Sequence, residues 1–141
     1  MKLYTALLVI PQGSLNCNLG KTDTGKYLDF MVSRCYYVYI LTNALKTVLY
    51  TGVTNDLEQR IFEHYKYRGQ GTSFTSKYNV YFLLYYEQHQ YINNAIAREK
   101  EIKSLSRKRK MELISTMNPQ LDFLNKEMFG EWPPKELTGR W

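Results

Sequence analysis

Residues 36–64 read YYVYILTNALKTVLYTGVTNDLEQRIFEH, and no other stretch restricts the fold as much. Two runs rich in apolar and aromatic residues, 36–41 and 48–53, bracket the turn-like Asn43-Ala44-Leu45-Lys46, and a helical pattern follows at once. That sequence of signals predicts a hairpin feeding directly into a helix. With residues 43–46 as the loop, Thr42 pairs with Thr47, and counting back along both strands sets Tyr39 opposite Tyr50 on one face of the sheet. Gly52 allows a close backbone approach in the second strand. Asn55-Asp56-Leu57-Glu58 carries the N-cap and N3 carboxylate of a capping box, so the helix is predicted to begin there.

On that helix Leu57, Ile61 and Tyr65 recur every fourth residue as the buried stripe, while Arg60 and His64 fall together along one edge. The short Thr54-Asn55 link makes the helix pack back on its own hairpin, so this edge is expected to face the two tyrosines. Taken singly, these are ordinary strand tyrosines and a solvated Arg and His; together they form a constellation. At these residues the chain resembles the GIY-YIG nuclease family. The first tripeptide of the family corresponds to Tyr37-Val38-Tyr39 and the second to Tyr50-Thr51-Gly52, with the required Arg at Arg60 and a His at His64. Tyr37 replaces the first glycine and Thr51 the middle isoleucine, as in the small stand-alone branch of the family, which is related to the N-terminal nuclease domain of an excision-repair subunit. The resemblance covers roughly residues 36–124.

A chain of 141 residues has room for one domain of ordinary size. The expected division is an N-terminal extension over 1–33, a GIY-YIG-like domain over 34–124 and a C-terminal tail over 125–141. The apolar run at 3–10 is too short to span a membrane, and the Gly, Asn, Thr and Ser after it read as a linker. Cys17 and Cys35 lack the Cys and His neighbours of a zinc site and read as reduced thiols in a cytoplasmic protein. A net charge of +6 suits a polyanionic partner or mere solubility, so its distribution matters more than its size.

After the first helix, residues 67–79 form a Gly-, Ser- and Thr-rich loop in which Arg68 and Lys77 suit phosphate contacts. Phe74 and Tyr78 either stack on bases or anchor that loop to the core, with anchoring slightly ahead. Residues 80–86 are a third strand, apolar on both faces and so expected to be central or covered by helices. In the helix predicted from Ile92 to about 105, Ala95, Ile96 and Ile102 share a stripe with Glu99, whereas Glu101 points away. A carboxylate inside an apolar stripe is paired, protonated or bound to metal. Arg60 or a lysine as its partner and a metal role rate about evenly on periodicity alone. Residues 98–110 hold seven basic residues, and Lys103, Arg107, Lys108, Arg109 and Lys110 make a candidate phosphate ridge running into a third helix. In that helix Met111, Ile114 and Met117 form the stripe, and Asn118-Pro119 ends it.

The expected fold is α/β, a small three-stranded antiparallel sheet flanked by three helices. The resemblance implies a metal-dependent DNA endonuclease in which Glu99 holds Mg2+ or Mn2+ and Arg60 binds the phosphate. It further implies that Tyr39 acts as general base, with Tyr50 positioning it and His64 assisting, while Gly52 and Asn118 hold the site in shape. Tyr39 as phenolate requires its pKa to be lowered considerably. Two other classes compete: a nucleic-acid-binding module of the same fold that does not cut, and a protein-interaction domain whose basic run is only a solvated face.

Overall fold

The structure, a computed structural model, describes residues 34–134; the extension expected over 1–33, with Cys17, and residues 135–141 lie outside the described residues. Three strands, β1 (Tyr36–Thr42), β2 (Leu49–Thr54) and β3 (Phe82–His89), form an antiparallel sheet in the order β2-β1-β3. Five helices accompany them: α1 (Leu57–Lys66), α2 (Phe74–Lys77), α3 (Ile92–Ser104), α4 (Arg107–Met117) and α5 (Asn125–Phe129). The predicted sheet and its three flanking helices are present, and the two short helices are additions to that expectation.

The alternation of β1 builds both halves of the core. Val38 and Ile40 pack with Ala95, Ile102 and Ile114 of α3 and α4 on one face, and Tyr39 and Leu41 with Leu57 and Ile61 of α1 on the other. The run from Val38 to Leu41 is almost fully buried. As the middle strand with both faces covered, it needs apolar or aromatic side chains throughout.

The register differs from the expected one by two residues. Tyr39 lies opposite Gly52, Tyr50 opposite Leu41, and Thr42 opposite Leu49 rather than Thr47. The Asn43 side chain explains the shift: its Oδ1 accepts from Thr47 N at 2.8 Å and its Nδ2 donates to Thr47 Oγ1 at 2.7 Å, which takes Thr47 out of the ladder. The Thr42 hydroxyl then donates to Val48 O, so the loop runs through residue 48. An even shift leaves every side chain on its predicted face, so the two tyrosines remain on the same side.

β3 begins at Phe82, not Val80, and of its two expected settings it has the second: it lies at the edge of the sheet but is covered by helices, Leu84 packing with Ile102 and Ile114 on one face and Leu83 with Leu57 and Ile61 on the other. Its outer edge is covered by chain that follows α4. Asn125 Oδ1 accepts from Leu83 N at 2.7 Å and its Nδ2 donates to Tyr81 O, while Leu124 N donates to Leu83 O. Asn118, the C-cap of α4, donates to Leu84 O and exchanges bonds with the backbone of Asp122. Side-chain amides thus satisfy edge groups that would otherwise be buried unpaired. The packed body therefore continues past residue 124, and Trp132 packs its ring on Tyr65, Tyr81 and Phe129.

Three smaller expectations are corrected. The N-cap of α1 is Asp56, whose carboxylate accepts from Gln59 N at 3.0 Å, so the helix starts one residue later than Asn55 would place it. Residues 67–79 are not wholly irregular, because Ser73 caps the single turn of α2. Cys35 is not a free thiol, contrary to its reading as reduced. Among the described residues no helix is long and apolar enough to cross a membrane.

Candidate active site

Gly52 is what lets the central phenol sit where it does. A Cβ on that residue would stand 2.5 Å from the Tyr39 hydroxyl oxygen and 2.6 Å from the ring carbon that bears it. The missing side chain leaves space opposite Tyr39, and the phenol lies across the β2 backbone instead of standing away from it. The Tyr39 and Tyr50 rings, diagonal neighbours on this face, have centroids 6.4 Å apart.

α1 brings the remaining groups. Leu57 and Ile61 fix its inward side against β1, which leaves Arg60 and His64 along the edge facing the tyrosines. His64 Nε2 lies 3.3 Å from the Tyr39 hydroxyl and its Nδ1 3.1 Å from Thr75 Oγ1. The imidazole is also set edge-on to Tyr50, with centroids 5.5 Å apart. Arg60 lies near enough to Tyr39 to act on it electrostatically and forms a 2.9 Å ion pair with Glu63. In the tautomer that leaves His64 Nε2 unprotonated, the Tyr39 O–H donates to it. The proton of the neutral imidazole then resides on Nδ1 and goes to Thr75.

The electrostatics follow from burial. Tyr39 is pushed up to about 12 by burial and by Tyr50, with Arg60 opposing, so the phenol is protonated near neutral pH. Arg60 alone therefore does not supply the lowering that a phenolate base requires. His64 is pulled down to about 4 by burial and by the Arg60 charge, with Glu63 opposing, which makes it neutral. Burial works to lower Arg60, but its interactions with Tyr39 and Glu63 prevail and hold it above its ordinary value. A pH dependence of stability results. The native state binds fewer protons than the unfolded chain between pH 4 and 6.5, so stability is full above about pH 6.5 and falls toward pH 4. For the nearly buried His64 the loss should be ~3 kcal/mol. Urea unfolding of the parent and His64→Gln proteins at pH 5 and pH 7 should show a smaller pH difference in the variant; equal differences would exclude His64 as the titrating group.

Beside these residues a cavity of about 260 Å3 opens, floored by Tyr50 and His64 and walled by Arg60 and Glu63 on one side and by Tyr67, Phe74 and the hydroxyls of 73–76 on the other. The loop after α1 thus supplies a wall, held in place by Ser76 Oγ to Tyr67 O at 2.7 Å and Gly69 N to Ser76 O at 3.0 Å. Residues 35–112, more than half of the chain, match the GIY-YIG catalytic domain. The chain belongs to the GIY-YIG family. A UPF0213 protein of Staphylococcus saprophyticus is 39% identical over 80 residues, covering 57% of this chain and 94% of that protein. One from Natronomonas pharaonis is 40% identical over 80 residues, 57% of this chain and 91% of its own. The solution NMR structure of a UPF0213 protein from Bacillus halodurans is 30% identical and covers 65% of this chain and 95% of its own, with a TM-score of 0.42.

Of the residues singled out in the sequence, the GIY-YIG domain brings Tyr39, Tyr50, Arg60 and His64 together around Gly52. Glu99 is buried as its periodicity predicts, between Ala95 and Ile102 on the inward stripe of α3, while Ile92 and Ile96 lie at the flank, partly exposed. That stripe faces the Val38 and Ile40 side of the sheet, opposite the phenols, and Glu99 is ion-paired with Lys103. Of the partners foreseen for Glu99, a lysine is the one observed. Glu101 is exposed and pairs with Arg98.

The basic run lies on the same far layer and does not line the cavity. Arg107 is engaged in holding the hairpin loop, donating to Lys46 O at 2.7 Å and Thr47 O at 3.0 Å. Lys108 and Arg109 are exposed on the first turn of α4, and Lys110 is half-buried. Arg68 lies over the Tyr65 ring and donates to Tyr65 O, and Lys77 lies near the Tyr78 ring. Phe74 and Tyr78 do not anchor the loop in the core, since both are largely exposed and pack on each other. Asn118 bonds to β3 and the following turn and has no bond to the tyrosine site, the helix-ending role of its two readings. Thr75, Glu63 and Ser73 were not foreseen; Thr75 is separated from His64 by eleven residues, and no periodicity connects a loop hydroxyl to a helix edge.

Proposed function

We propose that this protein is a divalent-metal-dependent endonuclease that hydrolyses phosphodiester bonds of DNA at the cavity lined by Tyr50, Arg60 and His64, with the buried Tyr39 bonded to His64 behind it. The observation that carries the reading is the bonded series Tyr39, His64, Thr75 with the Arg60 charge beside Tyr39. It puts an anion-binding guanidinium and a directed proton route at one buried phenol. A site that only bound phosphate would need the cation but not the phenol-to-imidazole bond.

Arg60, paired with Glu63 at rest, turns to the phosphate and stabilises the charge that develops on its oxygens. Tyr39 accepts a proton from the attacking water while its own passes to His64 Nε2, and Tyr50 holds the ring edge. The water oxygen forms a bond to phosphorus, the bond from phosphorus to the leaving oxygen breaks, and that oxygen takes a proton from solvent. Phosphate charge beside Arg60 offsets the positive field that depresses His64, so the imidazole becomes a better proton acceptor once substrate is bound.

Glu99 fits a single hard cation. Its carboxylate is nearly buried, its Lys103 partner is half in water and able to swing away, and on the same face of β2 the Thr51 hydroxyl is buried without a hydrogen-bond partner among the described residues. No group of three or more His, Cys, Asp or Glu side chains suited to a metal occurs among the described residues, so water and the phosphate would complete the shell. Glu99 would hold Mg2+ or Mn2+, which when bound would supply charge neutralisation for the phosphoryl group. Incubation of purified protein with supercoiled plasmid should give nicked and linear product in Mg2+ or Mn2+ and none in EDTA. An unchanged plasmid under all conditions would leave the non-cutting binding module as the better reading.

A further inference from the structure

One wall of the cavity is built from rings that the core does not use. Tyr67 is 53% exposed, Phe74 46% and Tyr78 42%, and none belongs to either core cluster. Tyr67 and Phe74 line the cavity beside Arg60, and the Phe74 and Tyr78 centroids lie 4.8 Å apart. Cations accompany them: Lys66 Nζ is 5.6 Å from the centre of the Tyr67 ring and Lys77 Nζ 5.4 Å from that of Tyr78. Three large rings left half in water forgo much of the apolar burial that would stabilise the fold. They sit instead on a polar loop, positively charged, next to the guanidinium that faces the cavity.

We propose that Tyr67 and Phe74, with Tyr78 behind, form a stacking platform for an unpaired base, so that this site takes DNA carrying an unpaired nucleotide next to the phosphate held by Arg60. Aromatic rings interleaved with cations are how single strands are held without sequence readout, because every base offers a π-face and every linkage a charge. In an intact duplex those faces are covered by neighbouring bases, and the platform has nothing to take up. The substrate class follows: single-stranded segments, flaps or branch points rather than continuous duplex. The inference rests on the reading of Arg60 as a phosphate ligand, and it is testable without any cutting.

The test is equilibrium binding in EDTA, with the full chain, of a single-stranded oligonucleotide bearing 2-aminopurine and of the same oligonucleotide in a perfect duplex. The single strand should bind about tenfold tighter or more, with quenching of 2-aminopurine as it stacks. The Tyr67→Ala, Phe74→Ala double variant should lose about tenfold for the single strand, lose the quenching, and keep duplex affinity within about twofold. Phe74→Trp with Tyr67 intact should restore both signals, and thermal melts of all variants should match the parent. Equal affinity for the two DNAs, an equal loss on both in the double variant, or no binding to either would overturn the platform. If the parent cuts plasmid and the double variant binds like it, the platform fails and the nuclease reading stands. If the parent stacks 2-aminopurine but cuts nothing, the nuclease reading fails and the platform stands.

Discussion

Gly52→Ala should reduce cleavage by about a hundredfold or more while DNA affinity stays within about threefold. The added methyl group would stand 2.5 Å from the Tyr39 hydroxyl, well inside contact distance. β2 is tied to β1 along its length, so the ring and not the backbone must move. Tyr39 is almost fully buried, with Leu41, Leu57 and Ile61 packed in the same cluster, and any displacement breaks its 3.3 Å contact with His64. Arg60, the proposed phosphate ligand, lies on α1 and is not among the atoms that the added methyl group would meet. Stability should also fall, by about 1–3 kcal/mol, the usual cost of overpacking a filled core. Single-turnover cleavage, filter binding and a urea melt separate the three effects, and normal cleavage by Gly52→Ala would mean that the position of the phenol is unimportant.

The second large effect is expected at Glu99. Glu99→Gln keeps volume and hydrogen-bonding capacity but removes the charge that a divalent cation needs, so metal-dependent cleavage should be lost at every Mg2+ or Mn2+ concentration while DNA binding in EDTA persists. Its ion-pair partner Lys103 is half exposed and finds water once the carboxylate is neutral, so the fold should survive. Glu101→Gln, two residues on, disturbs only an exposed pair with Arg98 and should change cleavage and stability little. The comparison is demanding because α3 covers the face of the sheet opposite the phenols. Normal cleavage by Glu99→Gln together with an unchanged or higher melting temperature would assign Glu99 to a structural ion pair and leave the metal to other ligands.

Much of this arrangement was legible in the sequence because it depends on short-range periodicity. The hairpin, the helix after it and the side of α1 that carries Arg60 and His64 follow from alternation along the strands and the spacing of Leu57 and Ile61, although the third buried residue of α1 is His64 and the expected Tyr65 is only partly buried. The burial of Glu99 follows from its place between Ala95 and Ile102. Register was not legible, since the two-residue shift arises from the Asn43 side chain capturing Thr47, a choice between two acceptable loops. Nor was the face covered by α3. Periodicity fixes which side of a helix turns inward but not which side of the sheet it turns toward, and that choice separates Glu99 and the basic run from the phenols. The edge position of β3 escaped notice because amide side chains from residues 118 and 125 stand in for a neighbouring strand. The raised pKa of Tyr39 depends on burial by residues distant in the chain, which no local pattern records.

The central claim is that the Tyr39 hydroxyl, bonded to His64 beside the Arg60 charge, carries the proton from the attacking water. Tyr39→Phe removes that oxygen and leaves the ring packing over Gly52 intact, so folding and DNA affinity should be unchanged. The deciding measurement is the single-turnover rate of plasmid nicking by Tyr39→Phe against the parent, at saturating protein and Mn2+. A fall of about two orders of magnitude or more, the scale of general acid–base catalysis, is the predicted result; a rate within a few-fold of the parent would contradict it.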